Sequence, residues 1–323
     1  MRAIRGLLVA FACCLAAPVL GADTVRLAVQ RTGTVAWELD VIRAHGLDAR
    51  ENLKIEAVEL ASPEAGKIAL RGGSADFIVS DWLWVSRERN IGAKLVFYPY
   101  SSALGAVMVK ATSTIRQPAD LKGRKLAVAG GSIDKSWLLL QAAMRRDGID
   151  LARDATIVYG APALLAAKTL DGEMDATLNY WNFCAALEAK GFRRLVAVEE
   201  VLARLGAGGR ASMVGYVFDE SWAAANRGLV TRFLAAARSA KEILATSDAE
   251  WNRIAPLVGA PDAATLTIYR DRYREGIPRR EIADEEADAR LLYGVLATTG
   301  GATLVGAATS LDPGTFYRGN SGS

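Results

Sequence analysis

Ser132-Ile133-Asp134-Lys135 places a hydroxyl and an amine three positions apart, one helical turn, where a lysine can help to deprotonate a serine for acyl transfer. Such a site also needs a Ser-Asp-Asn and a Lys-Thr-Gly element. The chain offers only Ser80-Asp81-Trp82 and Lys168-Thr169-Leu170, so an acyl-transfer enzyme using Ser132 and Lys135 stays an alternative. His45 is the single histidine, and Cys184 is the single cysteine beyond Cys13 and Cys14. A His/Cys metal cluster and a Ser-His-Asp triad both lack parts, so no catalytic group, metal or cofactor is expected.

Asp76 and Asp175 invite a reading as a carboxylate pair. Each instead follows a glycine by three positions (Gly73, Gly172) and precedes a tryptophan by six (Trp82, Trp181). A carboxylate between a glycine turn and a strand predicts turn and backbone-capping roles. The offset between the two copies, 99 positions, also carries Leu27-Ala28-Val29 onto Leu126-Ala127-Val128. Two segments sharing one offset in one order imply two similar α/β lobes. Ligands of open α/β sheets bind beyond the carboxyl ends of the strands, which predicts a cleft between the lobes. Of Trp82, Trp84, Tyr180 and Trp181, at least one from each lobe is expected to face it, Trp82 and Trp181 first, with core packing as the alternative.

The elements follow from periodicity. Strands are expected over 25–29, 55–60, 77–79, 95–98, 125–129 and 156–159, with a break at 99–102. Helices are expected through Trp37, over 64–70, through Trp137 and over 164–170, then over 221–244, 249–258, 263–276 and 284–296. Gly130-Gly131-Ser132 opens the Trp137 helix with Ser132 or Asp134 as N-cap, so free N–H groups would face the cleft. A strand over 213–218 would return the chain to the first lobe, giving crossings near 99–106 and 200–214. Lobe I is then 23–103 with 213–323, and lobe II 104–212.

Arg2 and Arg5 precede an apolar run from Gly6 to about Ala17, with small residues near Ala22. That pattern predicts a secretory signal peptide over 1–22, a mature chain starting near Asp23 and a periplasmic location, with an uncleaved anchor as the alternative because Leu20 is large for its position. Neither Cys13 nor Cys14 has the upstream residues of a lipid-modified terminus. The chain is 51% hydrophobic and 23% charged, which suits proper cores. Its formal charge of +3 becomes +1 without Arg2 and Arg5, so neither nucleic acid nor an anionic membrane is an expected partner.

The run Gln117-Pro118-Ala119-Asp120-Leu121-Lys122-Gly123-Arg124-Lys125-Leu126-Ala127-Val128, Gly131-Ser132 at a helix start, the two Gly-x-x-Asp units and Phe233-Leu234-Ala235-Ala236 resemble the periplasmic solute-binding proteins of nitrate, sulfonate and taurine ABC importers. That family also includes pyrimidine-precursor binders. The resemblance implies a type II periplasmic-binding-protein fold with a helical C-terminal tail. It also implies closure on a small solute by a protein expected to be monomeric, and delivery to a permease with its ATPase. A ligand sensor for a membrane receptor is the alternative. The family's sites map onto Arg31, Thr32, Asp81, Trp82, Ser132, Asp134, Asn179, Tyr180 and Trp181. Family members often carry small residues where this chain has Asp81-Trp82-Leu83-Trp84, and carboxylates beside aromatics favour a planar or nitrogen-containing solute over a sulfonate or nitrate.

Overall fold

The computed structural model describes residues 22–30 and 33–319; most of the expected signal segment, together with Arg31 and Thr32, lies outside the described residues. Ten strands form among these residues: β1 (Asp23–Val29), β2 (Leu53–Glu59), β3 (Ile78–Asp81), β4 (Leu95–Ser101), β5 (Ala106–Lys110), β6 (Lys125–Ala129), β7 (Thr156–Gly160), β8 (Ala176–Asn179), β9 (Phe192–Ala197) and β10 (Val214–Asp219). The α-helices are α1 (Val35–Ala44), α2 (Leu47–Arg50), α3 (Pro63–Arg71), α4 (Trp82–Arg89), α5 (Lys135–Arg146), α6 (Leu151–Asp154), α7 (Pro162–Leu170), α8 (Trp181–Glu188), α9 (Val198–Leu205), α10 (Glu220–Ala225), α11 (Arg227–Thr246), α12 (Asp248–Val258), α13 (Ala263–Glu275) and α14 (Ile282–Val305).

The strands make two lobes with one plan. In the first, β1 pairs parallel with β2 and reaches β3 through the parallel bridge Leu27–Phe77, while β10 lies antiparallel between β3 and β4. The order is β2-β1-β3-β10-β4. In the second it is β7-β6-β8-β5-β9, with β6 parallel to β7 and β8, and β5 antiparallel to β8 and β9. The two orders correspond strand for strand. The chain crosses between sheets from β4 to β5 and returns from β9 to β10, so each lobe receives one strand after a crossing.

The repeated aspartates hold corresponding places. Asp76 Oδ2 accepts the backbone N–H of Arg26 at 2.8 Å, and Asp175 Oδ2 accepts that of Lys125 at 2.8 Å. Each carboxylate ties the turn before one strand, β3 or β8, to its parallel neighbour, β1 or β6, the backbone-capping role read from the sequence.

Several elements depart from expectation. β4 continues through Pro99 to Ser101 instead of breaking. Pro99 faces Gly215 at the point where the β4–β10 register shifts, and a missing N–H is tolerated at such an irregularity. Gly215 is required there, because a Cβ would run into the Phe97 ring and the Tyr98 carbonyl. The helix expected over 221–244 is two helices split at Asn226, whose Nδ2 donates to the Trp222 carbonyl at 2.9 Å in competition with the helical pattern. α14 extends past its expected end to Val305, with a kink at Gly301, and β9 and α9 were not anticipated.

Two large cores support this frame. One lies under the first sheet, where Phe77 stacks on Phe233 at 4.1 Å and leans on Phe218 at 4.8 Å. The other runs from α4 through α14 to α5 and α9, taking in Trp82, Trp137, Leu292 and Leu202. Burying one such side chain is worth about 1.5–3 kcal/mol.

Candidate functional site

Three of the helices that follow strands begin on an aspartate cap, two of them, α4 and α10, directly after their strands and α5 after the turn 130–134. Asp81 closes β3 and caps α4 by accepting from Trp84 N at 2.8 Å; Asp219 does the same for α10 at 2.8 Å and Asp134 for α5 at 3.2 Å. Asp134, rather than Ser132, is therefore the N-cap of the Trp137 helix. The caps place Asp81 on the first lobe and Asp134 with Lys135 on the second at facing strand ends. Asp81 Oδ2 lies 3.2 Å from Lys135 Nζ, an ion pair between the lobes.

This pair engages the lysine of the Ser-x-x-Lys motif. Asp81 first, with burial opposing and Asp134 adding, holds the Lys135 ammonium above its ordinary pKa. A general base must be neutral, so Lys135 is poorly suited to activate Ser132, which sits exposed in the turn ahead of Asp134.

Asp134 faces the opposite pressure. Burial raises its pKa, against Lys135, the Trp137 N–H and Tyr180, whose hydroxyl donates to Asp134 Oδ2 at 3.3 Å. Tyr180 is likewise raised, by burial and then by the Asp134 charge. Gly130, at φ +85°, makes the contact possible: a Cβ there would lie 2.5 Å from the Tyr180 hydroxyl and 2.7 Å from Asp134 Oδ2.

The remaining sequence-predicted residues divide. Asn179 is 2% exposed and engaged internally, donating to the Pro162 carbonyl at 2.9 Å and accepting from Tyr180 N at 2.9 Å. Trp82, expected at the cleft, has no exposed surface, belongs to the core shared by α4, α14 and α5, and leaves its indole N–H unpartnered. The covering of this core, not the loop position, decides where its ring lies. Trp181 projects from the second lobe onto aromatics of the first, edge-on to Trp37 at 5.9 Å and to Tyr269 at 6.4 Å, and tilted to Tyr273 at 6.3 Å. His45 pairs with Glu250 at 3.0 Å at the end of α1, a structural contact. Cys184 is buried, and burial pushes its thiol up to about 12.

A feature absent from the sequence reading adjoins Trp181. Thr34, Glu38, Tyr100, Ser101, Lys241, Tyr273, Gly276 and Ile277 of the first lobe, with Trp181 as the single wall from the second, enclose a cavity of about 10 Å³. Glu38 accepts from the Lys241 ammonium, from Tyr273 OH at 2.5 Å and from Tyr216 OH at 3.4 Å. Lys241 Nζ lies 3.9 Å from the centre of the Tyr100 ring. Burial pulls the ammonium below its ordinary pKa against Glu38, and raises all three tyrosines well above theirs. The signal for this cluster was phase: Glu38 lies in helical register with Val35 and Ile42, and Lys241 with Ala237 and Leu244, so each places a charge on an apolar face.

Residues 42–250, or 209 of the 323, match the family model described as NMT1/THI5 like. The chain belongs to that family. Its fold is shared with the periplasmic aliphatic sulphonate binding protein SsuA from Escherichia coli, at 23% identity and a TM-score of 0.69 over 88% of this chain and 94% of that one. It is shared also with the alkanesulfonate-binding protein SsuA from Xanthomonas axonopodis pv. citri bound to MOPS, at 21% identity and 0.67 over 91% and 98%. The desulfurization enzyme DSZB has the same fold at 16% identity and 0.60, over 86% and 92%. No curated protein matches the chain. This family member thus has the two-lobe fold its sequence resemblance implied, and that fold is used both for binding and for catalysis.

Proposed function

We infer that this chain is the periplasmic solute-binding component of an ABC importer and not an enzyme. Lobe I (23–103 with 213–323) and lobe II (104–212) would close on a small organic solute and present it to a membrane permease with its ATPase. The observation carrying this reading is the seam at which the strand ends of the two sheets converge, joined by Asp81–Lys135 and by Trp181 on Trp37. Trp181 at the seam and Tyr180 on Asp134 favour a planar or nitrogen-containing solute over a simple sulfonate. The pairing of Lys135 supports a binding role over acyl transfer, although one protein of this fold is an enzyme.

The test is a thermal-shift screen of amines, heterocycles, sulfonates and nitrate, followed by X-ray scattering with the best hit. A binder should raise the melting temperature by acting on the folded state and should leave the radius of gyration at or below that of the free protein. A confirmed ligand that holds the lobes apart would sink the clamp.

A further inference from the structure

At the end of α5 remote from the cleft, a groove opens between α5, α9 and α14. Lys135 starts α5 at the seam, and Arg145 lies about 15 Å further along the helix. Arg145 and Arg146 of α5, Leu205 of α9 and Leu291, Gly294 and Val295 of α14 line a volume of about 490 Å³, within the range of about 300–1,000 Å³ common to small-molecule sites. Two glycines of α14 show how it forms. At Gly300 a Cβ would lie 2.9 Å from Leu138 Cδ1, so α14 and α5 touch there, whereas at Gly294 it would meet nothing within 4 Å. Leu291 packs against the end of α9, its Cδ1 3.4 Å from where a Cβ on Gly206 would lie.

The charge of the groove is one-sided. Arg145 gives one bond to Gln141 Oε1 at 3.2 Å and Arg146 one to the Arg204 carbonyl at 2.9 Å. A guanidinium has five N–H groups, and among the described residues neither of these two is in an ion pair. The carboxylate next in the chain, Asp147, is held by Arg204 at 3.1 Å. Among the described residues no acid lines the groove, and Thr299 Oγ1 has no partner, while Thr298 Oγ1 is spent on the Gly294 carbonyl at 2.9 Å. The rest of the lining is apolar, and Leu291 stays 39% exposed.

We propose that this groove is a binding site separate from the cleft, and that it takes a small monoanion with an apolar tail, the chemistry of a medium-chain carboxylate. Two unpaired guanidinium forks match the paired oxygens of a carboxylate, and a tail over Leu205, Leu291 and Val295 removes apolar surface from water. Both parts are needed. Exposed guanidinium–carboxylate pairs alone are weak, so a short anion gains little, and an amine with the same tail meets two like charges. The site stands whether or not the cleft takes the solute inferred above.

Calorimetric titration of the protein with octanoate, octanol, octylamine and acetate separates head from tail. Octanoate should bind at least about tenfold more tightly than the other three. Arg145→Gln with Arg146→Gln, both exposed, should weaken octanoate about tenfold. Gly294→Leu, which builds a side chain into the open space, should weaken it as much without lowering the melting temperature. Octanoate that binds both variants as it binds the wild type, octylamine that binds as tightly as octanoate, or no binding of octanoate overturns the proposal. Octanoate whose affinity falls with Trp181→Ala and not with the groove variants occupies the cleft, which overturns it as well.

Discussion

At the residue scale the cleft is governed by where charge is buried, and Asp134 gives the most direct handle on it. Its folded-state pKa is raised above the ordinary carboxylate value near 3.9, mainly by burial. Between the unfolded and folded pKa the folded chain binds more protons than the unfolded one, so this group's contribution to stability falls as pH rises through that window. Asparagine keeps the N-cap and cannot ionise. Asp134→Asn should therefore flatten the decline of melting temperature with rising pH above about 4, and the difference between the variant and wild-type curves isolates Asp134 from Glu285, which burial also raises. Identical curves would show that Asp134 does not carry the effect. The caps were legible as short polar residues at strand ends. The Glu38–Lys241 pair was not, because its members lie 203 positions apart and only the fold brings α1 and α11 together.

At the scale of elements, the repeat fixed most of the plan before any contact was known. Gly-x-x-Asp and the 99-residue offset become Asp76 on Arg26 N and Asp175 on Lys125 N, the same bond in each lobe. The two differ in surroundings. Asp76 is 8% exposed and also holds the Arg26 guanidinium, with Nη2 at 2.5 Å from Oδ1, whereas Asp175 is exposed. Asp76→Ala should cost about 1.5–3 kcal/mol, since it removes a buried carboxylate that holds both a backbone N–H and the partly exposed Arg26 guanidinium, and Asp175→Ala about 0.5–1 kcal/mol. Urea unfolding of the two variants measures both; equal costs would mean that burial is not what separates them. What the pattern hid has local causes. Asn226 splits a helix by donating its side-chain amide to the Trp222 carbonyl, Pro99 stays in a strand because the register shifts opposite it, and β9 was obscured by Arg193 and Arg194 within a short apolar run.

At the scale of the whole molecule, the question is what holds two similar lobes against each other. The contacts that span the seam beside the cleft include Asp81 with Lys135 at 3.2 Å, Glu188 of α8 with Arg272 of α13 at 2.9 Å, and Trp181 among Trp37, Tyr269 and Tyr273, while Ser212 with Glu285 and Gly208 with Asp288 join the lobes next to the second crossing. The two ion pairs are partly exposed, and pairs of that kind contribute about 0–1 kcal/mol each and weaken with salt. The aromatic contact is larger. Each favourable aromatic pair adds about 0.5–1.5 kcal/mol beyond area burial, and Trp181 makes three. Behind the seam, α14 lies against α4 and α5 and continues the core across both lobes. Trp181 should then be the dominant latch. Trp181→Ala should raise the radius of gyration of the free protein by scattering, while moderate salt, which reaches only the ion pairs, should change it little. Compaction unchanged in the variant but lost in salt would assign the latch to Asp81–Lys135 and Glu188–Arg272 instead.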